Sequence, residues 1–272
     1  MHKKNRVVRK KGFYKLINGD CLEIMKQIPE HSVDMILCDL PYGTTACPWD
    51  TVIPCDLLWE QYKRICKKNS AIVLFGSNPF TSVLVSTNIK NYKHQWIWYK
   101  KNSGNIFVAK YQPLKVFEDI VVFGNGGKTN YFPILEQGFE DRSNEVTSVK
   151  DGKDTLYGKL NSKLFFQSDN KKGTERYPKN VIEISAQGSE CSNSKRVHPT
   201  QKPVELLEYL IKTYTKENDI VLDNCMGSGS TGVAALRTNR KFIGIELDEH
   251  YFDISCGRIN QEYKYKEEYG EW

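Results

Sequence analysis

Asp39, Leu40, Pro41 and Tyr42 follow directly on the apolar run that ends at Cys38, and Gly43 comes next. A carboxylate accepts N–H hydrogens and stabilises positive charge. A proline fixes the backbone beside it, and a tyrosine ring offers a flat stacking surface with a hydroxyl at its tip. A buried strand can end this way for structural reasons alone; a carboxylate, a fixed backbone and a tyrosine together at a strand end also suit chemistry.

A second group lies near the other end of the chain. Gly227, Gly229 and Gly232 have the GxGxxG spacing within "VLDNCMGSGSTGVAAL", between a strand-like run and a helical one, and Glu246 closes the next apolar run. Glycines let the backbone come close to a ligand, a helix N-terminus presents free N–H groups, and an acid one strand later accepts from ribose hydroxyls. The combination points to an adenosine-type ligand without choosing among cofactors. Only 26 residues remain after Glu246, too few to finish a nucleotide-binding sheet, so earlier strands must complete it. That order suits a circularly permuted sheet, in which one end of the chain supplies the ligand turn and the other the chemistry.

The elements that must position these groups can be read from periodicity. "YKLING", "VDMILCDL", "SAIVLFGS", "YKHQWIWYKK", "EDIVVFGN", "DIVLDNC" and "KFIGIELD" read as strands, several of them continuously apolar, as in a parallel sheet covered on both faces. "DCLEIMKQI", "DLLWEQYKRICK", "PFTSVLVSTN", "KPVELLEYLIKTYT", "GSTGVAALRTN" and "EHYFDISCGRINQEY" read as helices, the fourth started by Pro203. Strands alternate with helices, so the class is α/β with a mainly parallel sheet. From residue 128 to residue 196 the pattern breaks into polar, lysine-rich sequence, an insertion of irregular structure.

The net charge is +6. It is concentrated in the first fifteen residues and again from Lys90 to Lys115, where lysines alternate with Tyr92, Trp96, Trp98, Tyr99, Phe107 and Tyr111. Such interleaving suits phosphate contact with base stacking, although a solvated face over an aromatic core has the same composition. No apolar stretch is long enough to span a bilayer, and no h-region follows the basic start. The eight cysteines form neither a CxxC pair nor a zinc-type cluster. Several lie in apolar runs as small hydrophobes, so a reduced, cytoplasmic setting is expected, with no metal.

Taken together, "DLPY" at 39–42, "HPTQKP" at 198–203, "DNCMGSGSTG" at 223–232, "FIGIELD" at 242–248 and "NGDCLEIM" at 18–25 resemble the beta-group (permuted) DNA amino-methyltransferases. These enzymes modify adenine N6 or cytosine N4 with S-adenosylmethionine. The resemblance covers nearly the whole chain outside 128–196. It implies a Rossmann-like methyltransferase sheet, mainly parallel with an antiparallel strand, circularly permuted, in a single domain over 1–272 with an inserted target-recognition region at 128–196. It implies a catalytic group at Asp39, Leu40, Pro41 and Tyr42, with the carboxylate and a carbonyl near Leu40 or Pro41 taking the two hydrogens of a base amine. It also implies cofactor contacts from Asp20, Cys21, Thr200, Lys202, Asp223, Cys225, Gly227, Gly229, Glu246 and Leu247. Thr200 and Lys202 would face the methionine carboxylate, Glu246 the ribose and Asp20 the adenine; His198 would touch DNA or cap a turn. Two motifs depart from the family's usual pattern: Leu40 stands for a proline, and Asp223-Asn224-Cys225 for Asp-Pro-Phe.

The expected substrate is adenine N6 in DNA, because the tetrapeptide ends in tyrosine, whereas the cytosine-N4 enzymes more often carry Ser-Pro-Pro-Trp. Expected partners are DNA, with a homodimer and a companion restriction endonuclease left open. The rivals are a cytosine-N4 enzyme, a carbon-5 cytosine enzyme using Cys47 as nucleophile, an RNA or protein amino-methyltransferase, a nicotinamide oxidoreductase, and a binding module without activity. The Cys-Pro order at Cys47 opposes the second, motif order opposes the third, and the intact acids and glycines oppose the last.

Overall fold

The computed structural model describes residues 6–43, 51–102, 106–138, 154–155, 158–159, 174–186 and 201–269. Two compact units are present, one of residues 1–132 and 180–272, the other of residues 133–179.

The larger unit is built on a nine-stranded sheet. Its strands are β1 (Arg6–Lys11), β2 (Tyr14–Asn18), β3 (Val33–Cys38), β4 (Cys66–Gly76), β5 (Tyr92–Tyr99), β6 (Phe117–Gly124), β9 (Val181–Glu183), β10 (Ile220–Asp223) and β11 (Lys241–Glu246). The smaller unit contributes the short pair β7 (Asp154–Thr155) and β8 (Gly158–Lys159). The sheet order is β1-β2-β11-β10-β3-β4-β6-β5-β9. Neighbours from β2 to β4 run parallel, as do β5 and β9, whereas β6 is antiparallel to both of its neighbours and β1 is antiparallel to β2. The first half of the chain supplies β3 and β4 and the last part supplies β10 and β11. Their meeting side by side is the permuted arrangement expected from the order of motifs.

Among the described residues six α-helices cover the sheet: α1 (Cys21–Met25), α2 (Cys55–Ile65), α3 (Phe80–Thr87), α4 (Val204–Tyr214), α5 (Ser230–Arg237) and α6 (Glu249–Tyr269). Two apolar cores lie on opposite faces. Met35 and Leu37 of β3 and Val73 and Phe75 of β4 pack with Leu207, Leu210, Val233, Phe252 and Ile259 of α4 to α6. The alternate residues Ile36, Cys38, Ile72 and Leu74 pack with Ile24, Leu58, Tyr62, Ile65 and Leu84 of α1 to α3. Successive strand side chains point to opposite faces. A strand buried on both faces therefore reads as one unbroken apolar run, which is why β3, β4 and β6 were plain in the sequence.

Element boundaries differ in ways that have physical causes. Helix α1 is short: Asp20 caps it by accepting from the Leu22 N–H at 2.8 Å, and Pro29 follows too soon for a longer helix. Strand β4 starts directly after α2, at Cys66, with Asn69 at φ +67° and a register shift against β3. Arg6–Lys11, within the basic stretch at the start of the chain, forms the edge strand β1. Within the span read as irregular, Val181–Glu183 joins the main sheet beside β5.

Gly232 lies where α5 crosses α6 and β11. A Cβ there would meet the side chain of Ile259 and come within 2.7 Å of the Phe242 ring.

Candidate active site

Strands β3 and β10 are parallel neighbours, with Val221 beside Met35 and Leu222 beside Ile36. From β10 the chain passes through α5 to β11 on one side; from β3 it passes through α2 to β4 on the other. The sheet thus has a switch point between β3 and β10. Ligands of open α/β sheets bind at the C-terminal strand ends of such a point. Both residue groups singled out in the sequence are there, Asp39 after β3 and the glycine turn after β10.

The first group is built around Asp39. Leu40 is buried in the core beneath α1 to α3, so the residue that replaces the family's proline anchors the tetrapeptide by packing. The Tyr42 hydroxyl donates to Asp39 Oδ1 at 2.7 Å, and its ring stacks on Phe80 at 4.9 Å and 26°. Burial, then the charges of Asp39 and Glu118, push the Tyr42 phenol well up, so it stays a donor. The other Asp39 oxygen, Oδ2, is paired with Lys202 Nζ. Lys202 also lies 3.4 Å from Glu118 Oε2 and 5.0 Å above the Phe75 ring, while Lys100 pairs with Glu118 Oε1. The Lys202 side chain is only 9% exposed. Burial would lower its pKa, but Asp39 and Glu118 outweigh burial and raise it. For Glu118, burial pushes up, and Lys202 and Lys100 prevail and hold it below the ordinary carboxylate range. Four charged side chains thus form one chain, Asp39–Lys202–Glu118–Lys100.

The second group is the turn from Asp223 to Gly229. Gly227 and Gly229 have φ of +51° and +79°, a region that L side chains rarely adopt. A Cβ on Gly227 would meet nothing within 4 Å, whereas one on Gly229 would come within 2.9 Å of Ser255. The turn therefore shows bare backbone to open space at Gly227 and packs tightly at Gly229. Glu246 at the end of β11 fastens it: Oε2 accepts the Gly227 N–H and Oε1 the Asp248 N–H, both at 2.8 Å. Burial raises the pKa of Glu246 against the pull of these N–H groups. Asp223 accepts the Cys225 N–H at 3.1 Å, and burial pushes its carboxyl up to about 7.

The departures from the family pattern now have local partners. Asn224 is buried and accepts the Tyr62 hydroxyl at 2.6 Å. Cys225 packs against the core that contains Cys21 and Cys38, and its sulfur accepts from the Asn224 amide at 3.4 Å. Burial pushes the Cys38 thiol up to about 12, and the Cys225 contact together with burial raises Cys21 further. These are inert thiols packed as small apolar groups. Cys21 therefore turns into this cluster. Asp20 caps α1, and Leu247 is exposed just beyond β11. Thr200, His198 and Cys47 lie outside the described residues.

Sequence reasoning missed Glu118, Tyr62 and Arg258. Arg258 of α6 donates from Nη1 to Ser228 O at 2.7 Å, Ser228 Oγ at 3.1 Å and Ser230 Oγ at 3.2 Å. It binds the glycine turn from behind, and nothing local in "SCGRIN" announces that contact. Arg258→Ala is expected to weaken cofactor binding about tenfold, as titration calorimetry would read it, because a carbonyl and two hydroxyls lose one charged donor. Unchanged affinity would show that the turn needs no such support.

The sequence pattern of the DNA methylase family, the N6/N4 methyltransferases, matches residues 33–256. The chain belongs to that family. This methylase is 25% identical over 262 residues to Type II methyltransferase M2.MboI of Moraxella bovis, covering 91% of the chain and 88% of the relative. It is 26% identical over 261 residues to Type II methyltransferase M.HpaI of Haemophilus parainfluenzae, covering 92% and 75%. Its fold matches that of the PvuII DNA methyltransferase (cytosine-N4-specific), with a TM-score of 0.66 at 17% identity over 94% of the chain and 93% of that structure. It also matches the M1.HpyAVI complex with S-adenosylmethionine, with a TM-score of 0.60 at 25% identity over 91% and 99%.

S-adenosylmethionine is the methyl donor of this methylase. The residues present fit it. The open backbone at Gly227 is a cradle that a side chain would fill, and an acid stands at the end of the adjoining strand. Among the described residues no helix is long and apolar enough to cross a membrane.

Proposed function

We propose that this methylase transfers the methyl group to the exocyclic N6 of adenine within a specific DNA sequence. The observation that carries the reading is the tetrapeptide: an aspartate whose carboxylate is oriented by the hydroxyl of Tyr42, with tyrosine at the place where the cytosine-N4 enzymes more often carry tryptophan.

The chemistry follows from the nucleophile. An exocyclic amine delocalises its lone pair into the ring and attacks poorly until it moves toward tetrahedral geometry. Asp39 accepts one N–H, and a backbone carbonyl at Leu40 or Pro41 accepts the other, which localises the lone pair and spreads the positive charge that develops on nitrogen. Leu40, held in the core, and Pro41, fixed in φ, keep that carbonyl in place. Tyr42 stacks on a base turned out of the duplex. When bound, S-adenosylmethionine supplies a methyl group on a good leaving group, so alignment of the two partners contributes much of the rate. Gly227, Gly229, Asp223 and Glu246 would hold it.

We further propose that residues 128–196, which include the compact unit Pro133–Lys179, read the target with help from the basic aromatic stretch from Lys90 to Lys115. Phe107 and Tyr111 in that stretch are 89% and 87% exposed, as stacking surfaces would be. Exchanging the insertion for that of a relative should change the methylated sequence and leave cofactor affinity intact; loss of cofactor affinity would refute the division of labour. The type II naming of both relatives supports a companion restriction endonuclease.

The test of the base assignment is methylation of unmodified genomic DNA by purified protein, followed by mapping of the modified bases. N6-methyladenine at one recurring sequence supports the reading. N4-methylcytosine would favour the alternative, in keeping with the cytosine-N4 specificity of the PvuII enzyme, and 5-methylcytosine would refute amine chemistry.

A further inference from the structure

We infer that Lys202 is a movable counter-ion of Asp39, and that Glu118 is the positioning residue that receives it when a target base enters. The inference rests on the reading of Asp39 as the acceptor of the base amine.

Both Asp39 oxygens already have donors, Oδ1 the Tyr42 hydroxyl and Oδ2 the Lys202 ammonium. The Tyr42 contact is neutral and keeps the carboxylate's charge. The Lys202 contact compensates that charge on the oxygen left for the base. A carboxylate tied to an ammonium is a weaker acceptor for an incoming N–H and stabilises less positive charge on the attacking nitrogen. Turnover is therefore fastest when Lys202 has moved away from Oδ2.

A buried ammonium cannot simply be released, because without a partner it bears a large desolvation penalty. The structure provides a second partner within reach. Glu118 Oε2 is buried, has no hydrogen bond and lies 3.4 Å from Lys202 Nζ. The other oxygen of Glu118 is held by Lys100, which keeps the carboxylate still and facing Lys202. The backbone of Lys202 is fixed beside Pro203, the N-cap of α4, so the movement is confined to the flexible end of the side chain. No charge is created or exposed in the exchange, since two cations and two anions remain together. Glu118 thus has a task that its place on β6 alone does not explain: without its carboxylate, Lys202 would stay on Asp39.

The test compares wild type, Glu118→Gln, Glu118→Asp and Asp39→Asn, each with full-length protein, tritiated methyl donor and unmethylated genomic DNA. Donor and DNA dissociation constants are measured beside single-turnover rates. Glu118→Gln is expected to bind both ligands within about twofold of wild type and to transfer about tenfold more slowly, with Glu118→Asp recovering part of the rate. Full-rate transfer by Glu118→Gln, with Asp39→Asn inactive, overturns this inference and leaves the reading of Asp39 standing. Full-rate transfer by Asp39→Asn overturns both. Equal losses of rate and binding in both Glu118 variants would mark a merely structural role and also overturn it. A crystal structure of wild type with DNA and a non-reactive donor analogue gives the direct view: Lys202 Nζ hydrogen-bonded to Glu118 Oε2 is expected, and Nζ still on Asp39 Oδ2 contradicts it.

Discussion

Asp39→Ala is expected to slow methyl transfer by about a hundred- to a thousandfold while leaving cofactor affinity within about twofold, the size of effect seen when one preorganised partner of a developing charge is removed. The split follows from geometry. Asp39 ends β3, whereas the turn that would hold the cofactor belongs to β10 and is fastened by Glu246 from β11 and Arg258 from α6. The fold should survive the change, because Lys202 keeps Glu118 as a neighbour when Asp39 is gone and is not left as a lone buried cation. Single-turnover assays with labelled donor, run beside calorimetric titration of the same protein, check both halves. Retained turnover would remove the carboxylate from the chemistry. Loss of cofactor binding in equal measure would place Asp39 in the wrong half of the site.

Glu246→Ala should produce the opposite split. The carboxylate accepts the N–H groups of Gly227 and Asp248, so its loss leaves two backbone donors without their acceptor and opens the glycine turn. Hydrogen bonds to charged groups contribute about 1.5–3 kcal/mol each. Allowing for water replacing part of what is lost, a net penalty near 3 kcal/mol corresponds to about a hundredfold weaker cofactor binding. Glu246→Gln keeps one carbonyl acceptor and should fall between. Calorimetric titration reads the effect, and affinity within about threefold of wild type would show that the acid is not needed there. The rate at saturating cofactor should recover most of its value, which distinguishes this residue from Asp39.

How far the sequence disclosed this arrangement depended on the distance over which each feature is encoded. The glycine turn, the tetrapeptide and the acid after β11 are local patterns, and the strands beside them are apolar throughout because both faces of the sheet are covered. These could be read directly. Strand β9 has three residues with one buried side chain, Ile182, too little for an alternating pattern to stand out. Strand β1 is masked by its charge. Glu118 reads as an ordinary charge at the start of an apolar strand. Only the sheet order, which sets β6 next to β4 and so near the end of β3, brings it to Lys202 and Asp39. Asn224 and Cys225 stand where the family usually has proline and phenylalanine. In the fold Asn224 accepts the Tyr62 hydroxyl, and Cys225 packs against the core that holds Cys21 and Cys38. Lys202 is the instructive case. The motif implied a cofactor contact, while the folded chain pairs it with Asp39, a relation that no spacing between residues 39 and 202 could express.

The central claim is that a donor methyl group on the glycine turn faces the carboxylate and carbonyl at 39–42. A crystal structure of the protein with S-adenosylmethionine tests it most directly. The expected result is a sulfur-bound methyl carbon pointing into the space beside Asp39 and the Leu40–Pro41 carbonyls, with room for an amino nitrogen about 3–3.5 Å from it. A methyl carbon directed away from that space, or a donor bound elsewhere than the turn at Gly227, would contradict it.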